Sequence, residues 1–296
     1  MTKVDDRFAE LRAQNRKGLV PFVTAGDPDL DTMVEMIRRF DRLGCAVCEV
    51  GIPYSDPIAD GPVIQASYTR ALEKKVQLKE IFRRLAEVAP EVDIPVVTMV
   101  SYAIVFRHGP EQFLKDAIAA GVSGAIIPDL LVDDAGPMVE LCKRYDFALI
   151  QLVTPTTSEE RALGIAETTT GFLYYVSVTG ITGERTELPA VLTERLQWLK
   201  GQTDLPVCIG FGISQAEQVK HVSGIADGAI VGSAIVRRLA EAKSPSDLDG
   251  VEHYVGSLVE ALKYRYRHRG SLGSEQGRSF ERGKRLDAIQ PRMKYA

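Results

Sequence analysis

Val47-Cys48-Glu49-Val50-Gly51-Ile52-Pro53-Tyr54-Ser55-Asp56-Pro57-Ile58-Ala59-Asp60-Gly61-Pro62 is the stretch on which the fold turns. It opens inside an apolar run of strand length, residues 46–50, interrupted by Glu49. An ionised carboxylate among apolar neighbours is costly unless compensated, so such a Glu serves either chemistry or a structural partner that neutralises it. The next residues are rich in Pro, Gly and Asp, which suit neither a helix interior nor a central strand, and they supply two more carboxylates, Asp56 and Asp60. From residue 63 to 73 the spacing of apolar residues turns helical. Together these pieces form a βα unit with a candidate acid/base pair at its turn.

The unit repeats in both directions. Upstream, an amphipathic helix over 4–14 precedes a strand over 18–24, which ends at a Gly26-Asp27-Pro28 turn. A helix over 30–43 follows, with Met33, Val34, Ile37 and Phe40 on one face and Gly44 as its stop. Downstream, strands are expected over 95–100, 124–129, 147–153, 172–177, 206–210 and 228–232. Helices over 78–89, 109–120, 138–144, 158–166, 188–200 and 215–221 lie between them. Short strands that are apolar on both faces and separated by helices pair in parallel. Eight of them in 296 residues predict an α/β protein that is a single (β/α)8 TIM barrel with an extra N-terminal helix. A doubly wound open sheet is the alternative, against which stands the lack of a G-x-G-x-x-G after the first strand. No linker or composition shift divides residues 1–264, which read as one domain. Residues 265–296 carry nine Lys/Arg against three Asp/Glu, with Gly and Ser at 270–274, the composition of a basic, flexible extension. Such a tail is either solvated or an arm for an anionic partner.

Composition narrows the function classes. With 45% hydrophobic and 26% charged residues the chain has ample material for a core. A formal net charge of −4 gives no overall drive toward nucleic acid or an anionic membrane. The first residues form no apolar signal segment and no apolar run approaches a membrane span, so a cytoplasmic location is the default expectation. Cys45, Cys48, Cys142 and Cys208 sit in or beside apolar stretches, as reduced, packed cysteines do. Cys45 and Cys48 make a C-x-x-C without a second pair or His residues at ligand spacing, and no metal site is expected.

In a barrel of this kind the chemistry sits at the carboxyl ends of the strands, and the last two loops often hold phosphate. Gly210-Phe211-Gly212-Ile213-Ser214 and Gly232-Ser233-Ala234 suit that task, because glycine lets backbone N–H groups approach an anion, and Ser214 and Ser233 are each expected to open a helix. Gly180-Ile181-Thr182-Gly183 reads as a mobile lid or a plain flexible loop. Glu49 shares the parity of Val47 and is placed facing the barrel interior. Asp60 is either a partner in the chemistry or the N-cap of the helix it precedes. None of the eight expected strands contains the Lys of a Schiff-base aldolase, and the clustered ligands of a metal-dependent aldolase are lacking. Phe22, Tyr102, Tyr174, Tyr175 and Phe211 stand at strand ends, where they either sandwich a flat apolar substrate or belong to the core.

These motifs carry a resemblance. Pro21 through Pro28, Glu49 through Gln65, Pro128-Asp129-Leu130, Ser177 through Gly183, Gly210 through Ser214 and Gly232 through Val236 are similar to the tryptophan synthase α subunit family over about residues 15–240. The resemblance implies retro-aldol cleavage of indole-3-glycerol phosphate to indole and glyceraldehyde 3-phosphate. It implies no cofactor in this chain, PLP in a partner β subunit that receives the indole, and an α2β2 hetero-tetramer. It casts Glu49 as the proton shuttle, acid at indole C3 and base at the side-chain hydroxyl, and Asp60 as the group that stabilises the indole N–H. Phe22, Tyr102, Tyr174 and Phe211 would line the substrate pocket, Thr182 and Gly183 would belong to the closing loop, and Gly212, Gly232 and Ser233 would hold the phosphate. Pro53, Asp56 and Ile104 would face the β subunit. The chain departs from the pattern at Ile104, where the family usually has Asn, at Leu131, where it has Pro, and in the basic tail. Those departures keep open a stand-alone lyase that releases free indole, and a regulatory partner with weak catalysis of its own is the reading from another class.

Overall fold

The computed structural model describes residues 1–57, 60–176, 190–210, 212–242 and 245–263, with the backbone alone at 190, 191 and 245. The expected tail, 265–296, lies outside them.

Nine parallel strands run β1 (Gly18–Thr24), β2 (Cys48–Gly51), β3 (Val96–Met99), β4 (Val122–Ile126), β5 (Ala148–Ile150), β6 (Leu152–Val153), β7 (Leu173–Val176), β8 (Val207–Gly210) and β9 (Gly228–Val231). Their order is β5-β4-β3-β2-β1-β9-β8-β7-β6. The ends of that order, β5 and β6, are consecutive in the chain and separated by Gln151 alone. The segment thus pairs with β4 at its start and with β7 at its end, which closes the ring. The single fifth strand expected over 147–153 divides because strands in a tilted barrel are staggered, so one stretch of chain hands its hydrogen bonds from one neighbour to the other. Eight staves result, as the sequence predicts.

Alternation sorts the strand side chains. Val20, Val47, Val97, Ile126, Ala148, Ile150, Cys208 and Ile230 pack together inside the ring, whereas Leu19, Cys48, Val50, Ala125, Leu149, Val207 and Ala229 pack outward with the helices. The helices follow from local signals. In Leu30–Arg42 the Asp29 side chain caps the first turn by accepting from the Thr32 N–H at 2.6 Å, and Met33, Val34, Met36, Ile37 and Phe40 form its buried stripe. The amino-terminal helix, Lys3–Ala13, starts at a Thr2/Asp5 capping box and inserts Val4, Phe8 and Leu11 into the inner cluster, with the Phe8 and Phe172 rings 5.5 Å apart. It seals the amino-terminal mouth of the barrel. Two helices beyond those expected are present, Tyr102–His108, capped by Ser101 and stopped by Gly109, and Pro245–Lys263.

All four cysteines are buried and unpaired, and among the described residues no cluster of His, Cys, Asp and Glu could hold a metal ion. No described helix is long and apolar enough to cross a membrane.

Inside the ring, space is allotted tightly. A Cβ at Gly124 would lie 2.7 Å from Ala148 Cβ and 2.8 Å from its carbonyl oxygen, and backbone cannot swing aside as a flexible side chain can. Gly124→Ala is therefore expected to destabilise the barrel by roughly 1–3 kcal/mol, read as a lower urea midpoint with an unchanged slope.

Candidate active site

Glu49 stands on β2 directly between Phe22 of β1 and Val97 of β3 in the strand register. Its alternation partner Val47 belongs to the inner cluster, and Glu49 is 0% exposed, so the carboxyl group is inside the ring at its carboxyl end. Neither oxygen of Glu49 meets a hydrogen-bond partner among the described residues. Burial without compensation favours the neutral acid, and the charge of Asp60 reinforces it: the Glu49 pKa is pushed up from 4.5 to about 8. Asp60 is itself raised by burial, from 3.8 to about 6. At neutral pH the pair divides into a protonated Glu49 and an ionised Asp60.

Asp60 does not cap the helix it precedes. Helix Pro62–Glu73 has Gly61 at its N-cap and no side-chain capping bond there. The helix instead anchors the loop, since Gln65 Nε2 donates to the Asp60 carbonyl at 2.8 Å and to that of Pro57 at 3.2 Å. Two polar clamps then hold the helix on the strand beside Glu49. The Thr24 and Ser67 hydroxyls meet at 2.6 Å in a buried contact, and Arg70 donates to both oxygens of buried Asp27, Nε at 2.8 Å and Nη2 at 2.6 Å.

Aromatic rings fill the space around the two acids. Phe22, Ile64, Tyr68 and Val236 form a separate cluster at this end of the barrel, with Tyr54 and Met99 against it. Gly51 makes the arrangement possible: a Cβ there would lie 2.5 Å from Phe22 Cζ and 2.7 Å from the Tyr68 hydroxyl. On the opposite stave, the Tyr174 hydroxyl would meet a Cβ at Gly210 at 2.9 Å, so its ring lies across the end of β8. The structure also brings Tyr68, which the sequence did not single out, within electrostatic reach of both acids. It is 1% exposed, its hydroxyl has no partner among the described residues, and burial raises its pKa, with the charges of Asp60 and Glu49 adding to the effect. The available signal was a phenol on the face Ile64, Ser67, Tyr68, Ala71 that the helix buries. Tyr102 and Tyr175 go elsewhere. The Tyr102 ring packs 6.2 Å from Phe106 and against the outer core, and Tyr175 is buried in the helix-facing layer.

Of the two glycine loops, the one after β9 borders this space. Gly232 lies against Phe22, whose Cβ would be 3.6 Å from a Cβ at 232, and it is the N-cap of helix Ser233–Glu241. Gly212 adopts φ +73°, a left-handed conformation that favours glycine. Ser214 does not open the next helix as expected. That helix is Ala216–Ser223 with Gln215 at its N-cap, and the Gln218 side chain reaches back to accept from the N–H groups of Ser214 and Gln215 at 2.8 and 3.1 Å. Thr182, Gly183 and Phe211 lie outside the described residues. Pro53, Asp56 and Ile104 line one groove of about 640 Å³ at the rim, together with Arg107, Pro128 and Asp129.

Comparison with known proteins meets this geometry at every level. The tryptophan synthase alpha chain family model matches residues 8–263. The chain belongs to that family. The tryptophan synthase alpha chain of Rhodopirellula baltica is 51% identical over 264 residues, covering 88% of this chain and 95% of that one. That of Caldanaerobacter subterraneus is 42% identical over 263 residues, covering 88% and 100%. Among solved structures, a tryptophan synthase alpha chain from Legionella pneumophila superposes with a TM-score of 0.80 at 30% identity, covering 88% of this chain and 97% of that one. Tryptophan synthase of M. tuberculosis in its aminoacrylate-bound form gives 0.79 at 29% identity, covering 89% and 100%.

As a tryptophan synthase alpha chain, this protein is a carbon–carbon lyase that cleaves indole-3-glycerol phosphate in tryptophan biosynthesis. It acts with a β subunit, and the PLP of the synthase belongs to that subunit. The expected family, fold and reaction thus hold for this chain.

The buried acid leaves a mark on stability. From pH 4.5 to about 8 the unfolded chain has released the Glu49 proton that the folded chain retains, so the Glu49 contribution to stability falls as pH rises through this window. Glu49→Gln does not titrate. The variant is expected to gain on the parent across that window, at up to about 1.4 kcal/mol per pH unit, and to keep a constant lead above it. Denaturation midpoints that run parallel for the two proteins between pH 5 and 8 would contradict the assignment of the raised pKa to Glu49.

Proposed function

We propose that Glu49 and Asp60 divide the acid/base work of the cleavage. Breaking the bond between indole C3 and the glycerol carbon needs a proton on C3, a negative charge near the ring N–H as positive charge develops, and removal of a proton from the side-chain hydroxyl. Glu49, protonated at neutral pH, supplies the first proton and in its ionised form takes the last. Asp60, ionised at neutral pH, faces the ring N–H. The observation that carries this reading is the fully buried, unpartnered Glu49 carboxyl, raised to about 8, beside a second acid raised to about 6.

Phe22, Tyr174 and Phe211 line the pocket for the flat ring, Tyr102 being turned toward Phe106 and the outer core instead, and Gly212, Gly232 and Ser233 hold the phosphate through backbone N–H groups and the amino terminus of helix Ser233–Glu241. Thr182 and Gly183 belong to the segment that covers the bound substrate. Pro53, Asp56 and Ile104 form the face toward the β subunit in an α2β2 assembly, and the groove they share supports this. The neighbouring Phe106 and Leu131, 69% and 55% exposed, add apolar area to that face. The barrel domain spans residues 1–264, residues 265–296 form a basic extension of the sequence, and the protein works in the cytoplasm.

The test is indole release from indole-3-glycerol phosphate, with and without a β subunit. Glu49→Gln is expected to lower kcat by at least about 10²-fold, and Asp60→Asn by about 10²-fold, with little change in KM. Retention of indole formation by Glu49→Gln would remove the assignment, and parent activity indifferent to added β subunit would favour the stand-alone lyase. The pH profile of kcat/KM should rise as Asp60 ionises near 6 and fall as Glu49 loses its proton near 8. The acidic limb should vanish in Asp60→Asn.

A further inference from the structure

The proposed phosphate grip needs two loops to keep a fixed separation. Strands β8 and β9 are hydrogen-bonded side by side up to Gly210 and Ile230, but beyond the sheet the chain diverges into the turn ending at Ser214 and into helix Ser233–Glu241. A side chain from a third element spans the gap. Tyr254, on helix Pro245–Lys263, donates its hydroxyl to the Ser214 carbonyl at 3.0 Å. The same ring carries the Arg238 guanidinium on its face, 3.6 Å from the centroid. Arg238 in turn donates through Nη1 to the Ala234 carbonyl at 2.9 Å, within the first turn of the helix that Gly232 caps. The path from one loop to the other is therefore continuous: Ser214 carbonyl, Tyr254 hydroxyl and ring, Arg238, Ala234 carbonyl.

We propose that Tyr254 and Arg238 are positioning residues for the phosphate end of the substrate, acting as a brace between the loop that follows β8 and the helix that follows β9. The brace touches neither Glu49 nor the aromatic cluster, so it bears on binding of the phosphorylated handle and not on proton transfer. It also has a division of labour within the loop. The N–H groups of Ser214 and Gln215 are occupied by Gln218, and Tyr254 holds the Ser214 carbonyl, so that residue is tied on both its amide and its carbonyl side. Gly212, two residues earlier in its left-handed conformation, is left to meet the anion. This inference rests on the reading of Gly212, Gly232 and Ser233 as the phosphate site.

Tyr254→Phe removes the hydroxyl and keeps the ring under Arg238, and Arg238→Met removes the cation and keeps the hydroxyl. Each is to be assayed in the full chain with the β subunit present, alongside titrations with glycerol 3-phosphate and with indole. Losing one hydrogen bond is expected to raise KM for indole-3-glycerol phosphate, and Kd for glycerol 3-phosphate, about 3- to 10-fold, while kcat at saturation and the affinity for indole stay within about 2-fold. Because both residues act through one brace, the double variant should lose clearly less than the product of the two single effects. Unchanged glycerol 3-phosphate affinity in Tyr254→Phe, with parent protein binding it normally, would overturn the brace and leave the phosphate reading standing. A parent protein that fails to bind glycerol 3-phosphate in competition with substrate would remove the phosphate reading and the brace with it. A fall in kcat, or a loss of indole affinity equal to that for glycerol 3-phosphate, would mark the two residues as general supports of the fold and also overturn the proposal.

Discussion

The site depends on a carboxyl group kept inside a ring of apolar side chains with no hydrogen-bond partner among the described residues. A charge at that place would be penalised severely, so the folded protein holds the proton, and the nearby charge on Asp60 strengthens the preference. Much of the surrounding structure serves to keep this unfavourable arrangement from relaxing. Register with Phe22 and Val97 fixes the backbone of Glu49 on both sides. Helix Pro62–Glu73, fastened by Ser67 and Arg70 to residues at the end of β1, keeps the Asp60 loop from swinging out toward water. A loop free to do so would lose the burial that separates the two acids.

Glycine and aromatic residues divide the strand ends between them. Where β2 ends, Gly51 makes room for Phe22 and Tyr68, and where β8 ends, Gly210 makes room for Tyr174. A missing side chain on one stave is thus the reason a large one fits on a neighbour. The outer layer follows ordinary barrel logic, with branched aliphatic residues meeting helical stripes.

Most of the barrel was legible because its signals are local and repetitive: β1 matches the expected 18–24, and Leu30 opens its helix where the Asp29 cap and the Met33 to Phe40 stripe place it. The inward placement of Glu49 followed from strand parity alone. What escaped depends on contacts between distant parts of the chain. The break at Gln151 reflects the stagger of a closed sheet, which no single strand encodes. The place of Tyr68 beside the two acids lay hidden because an aromatic on a buried helix face reads as core, and only the folded chain shows its hydroxyl without a partner among the described residues. Ser214 has the composition of a helix cap, yet the helix begins at Ala216 with Gln215 at its cap, and Gln218 reaches back to the N–H groups of Ser214 and Gln215. The Tyr102–His108 helix was missed since only Val105 of its seven residues is buried, too weak a stripe to be seen against the apolar run around it.

The amino-terminal helix has one more consequence. With Val4, Phe8 and Leu11 packed into the inner cluster, the described residues cork the amino-terminal end of the barrel. The two unlike products of the cleavage, one oily and flat, the other small and charged, therefore have no way out past those three side chains. The groove lined by Pro53, Asp56 and Ile104 follows the carboxyl ends of β2 and β3, away from that cork.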